Sequence, residues 1–308
     1  MIRPGGWGIL RGMDTEPARD KLCAIVTSYQ PGAGFELHCE TLLQQFQRLV
    51  VVDDGSAPCP LPSPSSLASA AGFHWLAHSN NRGLAAALNT GLNQARALGC
   101  TWVVLLDQDT APLPDMLDGL LAAWARCPGS KVIVGANYWN AHRNGPFLRL
   151  SPDADPLERK TLITAGTLMP LAAVDEIGLF REDYFIDSVD HEYSLRARQH
   201  GWRLFITAPV LARQTIGGPR SDRPWSRFTA FDHAPLRKYY IARNTVYTAR
   251  LYARQEPTWA LRQAWRLAGD LASLLLFERH KWIRLRAFLR GLLDGLTGRL
   301  GPRDARLT

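Results

Sequence analysis

The sequence lacks the features that mark disulfide scaffolds, zinc proteins and membrane-spanning proteins. Its five cysteines are odd in number and show no C-x-x-C pair or other paired spacing for a metal or redox site. The first 20 residues contain no apolar core of the length that a secretory signal needs. The longest nearly apolar run, 271–277, is far shorter than the ~20 residues that cross a bilayer. We therefore expect reduced thiols in a cytoplasmic protein that is soluble or attached to a membrane surface.

Two common nucleotide-binding loops are also missing. No G-x-x-x-x-G-K-[ST] sequence occurs, which excludes a P-loop nucleotide hydrolase. Gly32 and Gly34 follow the first apolar run, but Leu37 stands where the dinucleotide fingerprint needs a third glycine. A Rossmann dehydrogenase is therefore disfavoured.

The composition is that of an ordinary globular protein, but the charge is unevenly distributed. The chain has 308 residues, of which 46% are apolar and 21% are charged, and its length allows one large domain or two small ones. Residues 213–308 carry 19 basic and 7 acidic side chains, whereas residues 1–212 carry 17 and 21. A basic region of this kind can attract nucleic acid, anionic lipid or another polyanion, so charge alone does not choose among them.

Apolar runs alternate with segments of helical spacing over the first 127 residues. Continuous apolar runs bounded by turn residues predict buried strands at 22–27, 49–52, 73–77 and 102–106. Helical spacing at 35–46 and 83–98 completes βαβ units, which predicts an α/β sheet. Further strands are predicted at 131–137, 162–169 and 203–206, with a helix at 189–200. From Pro257 onward the pattern is purely helical and amphipathic.

Polar clusters follow three of the predicted strands, at 27–30, 53–56 and 107–109. Ligands bind beyond the carboxyl ends of strands in doubly wound sheets, so we expect these clusters to line one crevice. Asp107 and Asp109 suit Mg²⁺ or Mn²⁺, which takes one or two protein carboxylates and shares its other positions with water and substrate phosphates. The alternative is a solvated acidic turn. The apolar strand before the pair and the second acidic strand end at Asp53 favour the crevice.

Six motifs stand in order along residues 21–300. They are VVDDGS at 51–56, NRGLAAALNTG at 81–91, LLDQD at 105–109, AGT at 165–167, FIDSVDHEYSLR at 185–196 and RKYYIARN at 237–244. Together they resemble family-2 glycosyltransferases, and the Asp-Gln-Asp form resembles the rhamnosyltransferase branch. The resemblance implies the GT-A nucleotide-diphospho-sugar transferase fold, a Rossmann-like mixed sheet flanked by helices with a C-terminal helical extension. It divides the chain into an N-terminal extension (1–20), a catalytic domain (21–250) and a basic amphipathic helical region (251–308).

The resemblance also implies a set of donor-binding residues. Those expected to bind the nucleotide sugar are Thr27, Tyr29, Asp54, Arg82, Asp107, Gly166 and Thr167. Asp109 matches the metal-binding aspartate, with Asp107 at the ribose or supporting the metal. The implied cofactor is a divalent cation, Mg²⁺ or Mn²⁺.

Asp190 matches the family's general base, which draws a proton from the acceptor hydroxyl as the new bond forms. One base opposite one leaving diphosphate implies a single displacement with inversion at the anomeric carbon. The competing interpretation is that Asp190 merely begins a helix, because acids are stabilised near the positive end of the helix dipole.

Two positions depart from the family pattern. Val189 stands where many relatives have an acid, and Gln214 stands where relatives often have a metal-binding histidine. The residues expected near the acceptor or diphosphate are His191, Arg237, Tyr240 and Arg243. For the two arginines the alternative is a solvated basic face.

The resemblance predicts an inverting glycosyltransferase that moves L-rhamnose from dTDP-L-rhamnose to a cell-surface polysaccharide or lipid-linked glycan. The alternatives are a transferase for another nucleotide sugar and a catalytically silent glycan-binding or scaffold protein. No nucleic-acid-binding module is evident in the basic third of the chain. Its helices suit an anionic membrane surface on the inner face of the cytoplasmic membrane. Packing on the catalytic domain or a contact between copies in a homo-oligomer remains the alternative.

Overall fold

The computed structural model describes residues 16–58, 66–142, 144–214, 234–278 and 281–303. Within them, helices cover both faces of one mixed sheet and three more follow at the C-terminal end. The strands are β1 (Leu22–Ser28), β2 (Leu49–Asp53), β3 (Phe73–Ala77), β4 (Trp102–Asp107), β5 (Ala111–Pro112), β6 (Val132–Asn140), β7 (Gly145–Pro146), β8 (Leu157–Arg159), β9 (Thr167–Pro170) and β10 (Arg203–Gln214). The helices are α1 (Phe35–Leu43), α2 (Leu84–Ala97), α3 (Met116–Arg126), α4 (Leu171–Ile177), α5 (Val189–Gln199), α6 (Pro235–Tyr252), α7 (Pro257–Phe277) and α8 (Lys281–Thr297).

The sheet has the strand order β3-β2-β1-β4-β9-β6-β10-β5, with β7 paired to β6 and β8 paired to β10. The first four strands in this order are parallel, and β9 runs antiparallel between β4 and β6. Because β1 lies between β2 and β4, Thr27 stands opposite Asp107 and Ser28 stands opposite Asp53. The carboxyl ends of three parallel strands therefore meet at one edge of the sheet.

The central strands are continuous apolar runs because helices cover both faces of the sheet. Every residue of β1 is buried. Val26 and Val51 belong to the core shared with α1 and α3, whereas Ile25 and Val52 belong to the core shared with α2, α4 and α5. Burying a side chain of this kind contributes roughly 1.5–3 kcal/mol, so the two cores hold the strand ends in fixed positions.

Two glycines allow α8 to approach α6 closely. A Cβ atom on Gly291 would lie 2.3 Å from the Tyr239 carbonyl oxygen, and one on Gly295 would lie 2.4 Å from the Arg243 carbonyl oxygen. Any larger residue at either position would force the helices apart.

Glu256, between α6 and α7, joins the C-terminal helices to the part of the chain that precedes them. Its carboxylate pairs with Lys160 at 2.6 Å and with Arg198 of α5 at 3.0 Å. None of the helices in the described part of the chain is long and apolar enough to cross a membrane.

The predicted mixed sheet flanked by helices, with a helical C-terminal extension, is confirmed. The predicted strand at 162–169 is wrong over residues 162–166, because β9 begins only at Thr167. Gly166 has a φ of +81°, and the Thr167 N–H donates to the Thr164 carbonyl at 3.0 Å, so the chain turns there instead of extending.

Candidate active site

Three loops meet at the carboxyl ends of β1, β2 and β4, where the sequence predicts a crevice. The Tyr29 N–H donates to Gln108 Oε1 at 2.7 Å, which joins the β1 loop to the β4 loop. The Gln30 N–H donates to Ser56 Oγ at 2.7 Å, which joins the β1 loop to the β2 loop. Tyr29 is 42% exposed, whereas Thr27 is buried at the strand end. The aromatic ring of Tyr29 is thus the more accessible of the two residues expected at the nucleotide.

Asp54 fixes one wall of this crevice. Its Oδ1 atom lies 2.7 Å from His78 Nδ1 and accepts the Arg82 N–H at 2.9 Å, while Oδ2 accepts the Gly83 N–H at 2.7 Å. Asp54 is 5% exposed, so its carboxylate oxygens face these groups. Gly83 has a φ of +94°, and a Cβ there would lie 2.5 Å from the Phe185 carbonyl oxygen. Asp54 therefore holds the loop that precedes α2.

Arg82 lies at the rim of the crevice. Its guanidinium pairs with Glu182 at 3.2 Å, and both side chains are about half exposed. A pair this exposed contributes little to stability, about 0–1 kcal/mol, so a bound anion can compete with Glu182 for the guanidinium.

Gly166 and Thr167 lie beside β4. The Gly166 N–H donates to the Leu105 carbonyl at 2.7 Å, and Thr167 Oγ1 donates to the Ile163 carbonyl at 2.6 Å. Thr167 and Asp190 line the same small cavity of about 20 Å³. Gly166 and Thr167 therefore pack behind the end of β4.

Asp107, Asp109 and Asp190 come together although 83 residues separate the first from the last. Burial raises the pKa of Asp107 to about 7, and the negative charges of Asp109 and Asp190 add to the increase. Burial also raises the pKa of Asp109, while the positive charge of Arg237 lowers it. Acidic side chains grouped in this way favour a bound cation.

The donor atoms at Asp107 fit a divalent cation. The Gln214 amide Nε2 donates to Asp107 Oδ2 at 3.3 Å. Asp107 Oδ1 and Gln214 Oε1 are buried without a hydrogen-bond partner among the described residues. No three His, Cys, Asp or Glu side chains in the described ranges could hold a metal ion by themselves. Mg²⁺ suits such a set, because it uses one or two carboxylates and fills its other positions with water and phosphate oxygens.

Asp190 lies in the first turn of α5. Its Oδ1 atom accepts the His191 N–H at 2.8 Å. The His191 ring packs edge-to-face on Trp259 of α7, with ring centroids 5.8 Å apart. His191 therefore contacts the helical extension, while Asp190 faces the acidic cluster.

The loop before α5 has a strained backbone. Phe185, Asp187 and Ser188 have φ angles of +65°, +64° and +60°, which residues other than glycine rarely adopt. Each such residue costs on the order of 1–3 kcal/mol and persists only where its surroundings hold it, as they often do at functional sites.

Arg243 and Asn244 of α6 hold the strained loop. Asn244 Nδ2 lies within 3.0 Å of the carbonyl oxygens of Tyr184, Ile186 and Asp187. The Arg243 guanidinium donates to the carbonyls of Tyr184 at 2.9 Å and Gly301 at 2.6 Å. Arg243 is fully buried, so its side chain acts on the loop from behind and does not reach the crevice.

Tyr240 lies behind the same loop, whereas Arg237 lies in front of it. Tyr240 is 1% exposed, stacks on Phe185 with ring centroids 5.1 Å apart and accepts the Arg303 N–H at 2.7 Å. The Arg237 side chain is half exposed and donates to Asp187 Oδ1 at 3.5 Å. Of the residues expected near the acceptor or diphosphate, Arg237 is thus the one placed beside the acidic cluster.

Sequence reasoning assigned no function to Asp187, which the structure places at the site. Its Oδ2 atom is buried and has no hydrogen-bond partner among the described residues, and burial raises its pKa. Its proximity to Asp190 and Arg237 depends on the strained loop. The only signal in the sequence is its position three residues before Asp190.

Replacing Asn244 with alanine is expected to lower kcat by about 10-fold to 100-fold with little change in donor KM, because a displacement of about 1 Å at the base is enough for such a loss. The variant also removes the Asn244 donor from the carbonyls of Ile186 and Asp187, which costs about 1–3 kcal/mol of unfolding free energy. Steady-state kinetics and thermal unfolding measure the two effects.

Thr248→Ala is the matched control, because Thr248 is buried one turn along α6 and bonds to Tyr184 Oη rather than to the loop backbone. Equal kcat losses in both variants would contradict the positioning of the loop by Asn244.

Two comparisons with known proteins found glycosyltransferases. Residues 23–172 match Glycosyl transferase family 2. The chain is 24% identical over 232 residues to the dTDP-rhamnosyl transferase RfbF of Shigella flexneri, a match that covers 72% of this chain and 77% of RfbF.

The fold is similar to that of S. aureus TarS. One TarS structure has a TM-score of 0.57 and 15% identity, covering 93% of this chain, and this chain spans only 50% of it. TarS 1-349 in complex with UDP-GlcNAc has a TM-score of 0.56 and 16% identity, covering 90% of this chain and 81% of that one. At such identities the likeness to TarS concerns the fold alone.

Proposed function

We propose that this chain, a glycosyltransferase whose residues 23–172 match family 2, transfers L-rhamnose from dTDP-L-rhamnose. The observation that carries the proposal is the grouping of Asp107, Asp109 and Asp190 at the end of β4. The similarity to a dTDP-rhamnosyl transferase supports the choice of donor. The expected acceptor is a cell-surface polysaccharide or a lipid-linked glycan.

In this mechanism Asp190 accepts the proton of the acceptor hydroxyl while the hydroxyl oxygen attacks the anomeric carbon. The bond from that carbon to the diphosphate breaks in the same step, and the electron pair leaves with the nucleotide diphosphate. Attack on the face opposite the leaving group inverts the configuration at the anomeric carbon. The Asn244 and Arg243 bonds hold the loop before α5, so the base keeps its position during this step.

The other residues of the crevice bind and orient the donor. Tyr29, the more accessible residue at the β1 end, provides an aromatic ring on which the nucleotide base can stack. Asp107, Asp109 and Gln214 would hold Mg²⁺ or Mn²⁺, which when bound neutralises the charge of the diphosphate. Arg237, beside Asp109, adds a positive charge near the leaving group.

We place the reaction on the cytoplasmic side of the membrane, where a lipid-linked acceptor is accessible to an enzyme attached to the membrane surface. The division into a catalytic domain at 21–250 and a helical region at 251–308 is part of the same proposal. Nucleic acid is not an expected partner. A transferase for another sugar is the second candidate, favoured by the fold shared with TarS, which was solved with UDP-GlcNAc.

Incubation of the chain with Mg²⁺ and a panel of nucleotide sugars tests the donor. We expect dTDP-L-rhamnose to raise the thermal unfolding temperature most and to be the donor from which nucleotide diphosphate is released, because a bound ligand stabilises the folded state. The panel includes UDP-GlcNAc, dTDP-glucose and GDP-mannose, with dTDP alone as the control for nucleotide binding. Preference for UDP-GlcNAc would overturn the assignment of the sugar. Absence of stabilisation by any donor would favour the scaffold alternative.

A further inference from the structure

Helices α7 and α8 expose large apolar side chains that no described part of the chain covers. Among them are Trp265, Leu276, Phe277, Trp282, Leu289 and Leu293, which are between 44% and 79% exposed. We call these six residues, with the exposed basic residues around them, the α7–α8 face. Exposed apolar patches of this kind mark interaction surfaces in proteins that are otherwise well packed.

The apolar residues of α8 lie on one side of the helix. Trp282, Leu289 and Leu293 are spaced seven and four residues apart, which places them in one stripe along the helix. The opposite side carries Phe288 and Gly291, which are buried against α6 and its neighbours. The stripe therefore points away from the folded protein.

The exposed charges around these residues are of one sign. Between residues 257 and 303 the exposed charged side chains within the described ranges are all basic: Arg262, Arg266, Lys281, Arg286, Arg290 and Arg299. The acids of the same helices are turned inward or partly covered. Glu278 pairs with Lys238 and Arg284, Asp294 pairs with Arg303, and Asp270 is half-buried.

We propose that the α7–α8 face docks on an anionic lipid bilayer, with the two tryptophans at the level of the headgroups. Trp265 and Trp282 have amphipathic rings suited to that region, and the surrounding arginines attract anionic lipid. The helices lie along the surface rather than across it, consistent with the absence of a spanning helix in the described chain. A second copy of the chain is the less suitable occupant, because the same face would bring arginines against arginines. This proposal deepens the membrane location proposed above, but it does not depend on the identity of the sugar.

Flotation of the full chain with vesicles tests the docking surface. We expect binding to vesicles of equal parts phosphatidylcholine and phosphatidylglycerol, and at least about tenfold weaker binding to phosphatidylcholine alone. Raising the salt about tenfold is expected to release much of the protein, since it shortens the screening length about threefold. Equal recovery with both kinds of vesicle, or binding that is insensitive to salt, would overturn the electrostatic part of the proposal.

Substitutions separate the docking face from the rest of the surface. Leu276→Ser combined with Trp282→Ser is expected to reduce flotation about tenfold, and Arg286→Glu combined with Arg290→Glu is expected to do the same. Leu37→Ser is the matched control, because Leu37 of α1 and Leu276 are both 66% exposed. Undiminished flotation of both double variants would overturn the proposal.

Two parallel measurements make each outcome decisive. Light scattering without lipid reports the oligomeric state. Docking on lipid would be overturned if the wild type failed to float and instead formed a dimer that the Leu276 and Trp282 substitutions dissociate. The face would then be assigned to a second copy. Transfer to a soluble acceptor is measured for every variant and is expected to stay within about twofold of the wild type, because none of these side chains lies in the crevice. Loss of flotation with normal transfer supports the docking surface, whereas normal flotation with no transfer contradicts only the proposed function.

Discussion

Asp190→Asn is expected to lower the turnover number about 10³-fold while leaving the affinity for the donor nearly unchanged. A positioned general base typically contributes 10²-fold to 10⁴-fold, and asparagine cannot accept the proton of the acceptor hydroxyl. The substitution preserves the start of α5, because the asparagine oxygen can still accept the His191 N–H that Asp190 Oδ1 accepts at 2.8 Å. Measurement of kcat, donor affinity and the unfolding temperature separates the chemical function from the structural one.

This variant distinguishes the base from the competing interpretation of Asp190 as a helix-starting acid. If Asp190 only stabilised the helix, Asn would cost about 0.3–1 kcal/mol of unfolding free energy and leave turnover intact. Asp175→Asn is the control, since Asp175 is a 67% exposed carboxylate that pairs with Arg96 at the molecular surface. Normal turnover in Asp190→Asn, or an equal loss in Asp175→Asn, would rule out the assignment of the base.

The strands that end at the crevice were predictable because burial on both faces requires continuous apolar runs in the sequence. In β1, β2 and β4 both faces are covered, so the residues at 22–27, 49–52 and 102–106 are continuous apolar runs. Helix α6 follows no such rule. It buries Lys238, Arg243 and Asn244 along with its apolar residues. These polar groups pair with residues that are distant in the sequence and that only the fold brings near. No periodicity of apolar residues predicts a helix of this kind.

The grouping of acids at the crevice was predictable in part. Polar residues at the ends of neighbouring parallel strands meet at one edge, which accounts for Asp54 and Asp107. That the Asp54 carboxylate faces the Arg82 and Gly83 N–H groups could not be foreseen, since it depends on the path of a loop. Asp187 was missed for a similar reason, because a positive φ at an aspartate leaves no trace in the sequence.

Asp109→Asn is expected to weaken Mg²⁺-dependent donor binding and to reduce activity about 10²-fold to 10³-fold. Removing one preorganised group that stabilises charge in the transition state typically lowers kcat about 10²-fold to 10³-fold. The reason here is charge, because asparagine keeps the size of the side chain but gives up the negative charge that attracts the cation. Titration of the donor with and without Mg²⁺ measures the effect, and a chelator is expected to lower wild-type activity to the level of the variant. Full wild-type activity in excess chelator would contradict a metal-dependent reaction.

Acidification provides an independent check on the same site. Burial raises the pKa of Asp107 to about 7, so between pH 8 and pH 6 this carboxylate takes up a proton that a bound cation must displace. The affinity for Mg²⁺ is therefore expected to fall as the pH decreases through 7, and in Asp107→Asn this pH dependence is expected to disappear along with most of the binding.

The raised pKa of Asp107 also affects the stability of the folded state. A carboxyl group whose pKa is raised in the folded state stabilises that state at low pH and loses this contribution as the pH rises through its folded pKa. Asp107→Asn without Mg²⁺ should thus unfold at a higher temperature than the wild type at pH 8. A lower unfolding temperature there would show that the hydrogen bonds to the Asp107 carboxylate outweigh its burial, and would contradict a raised pKa.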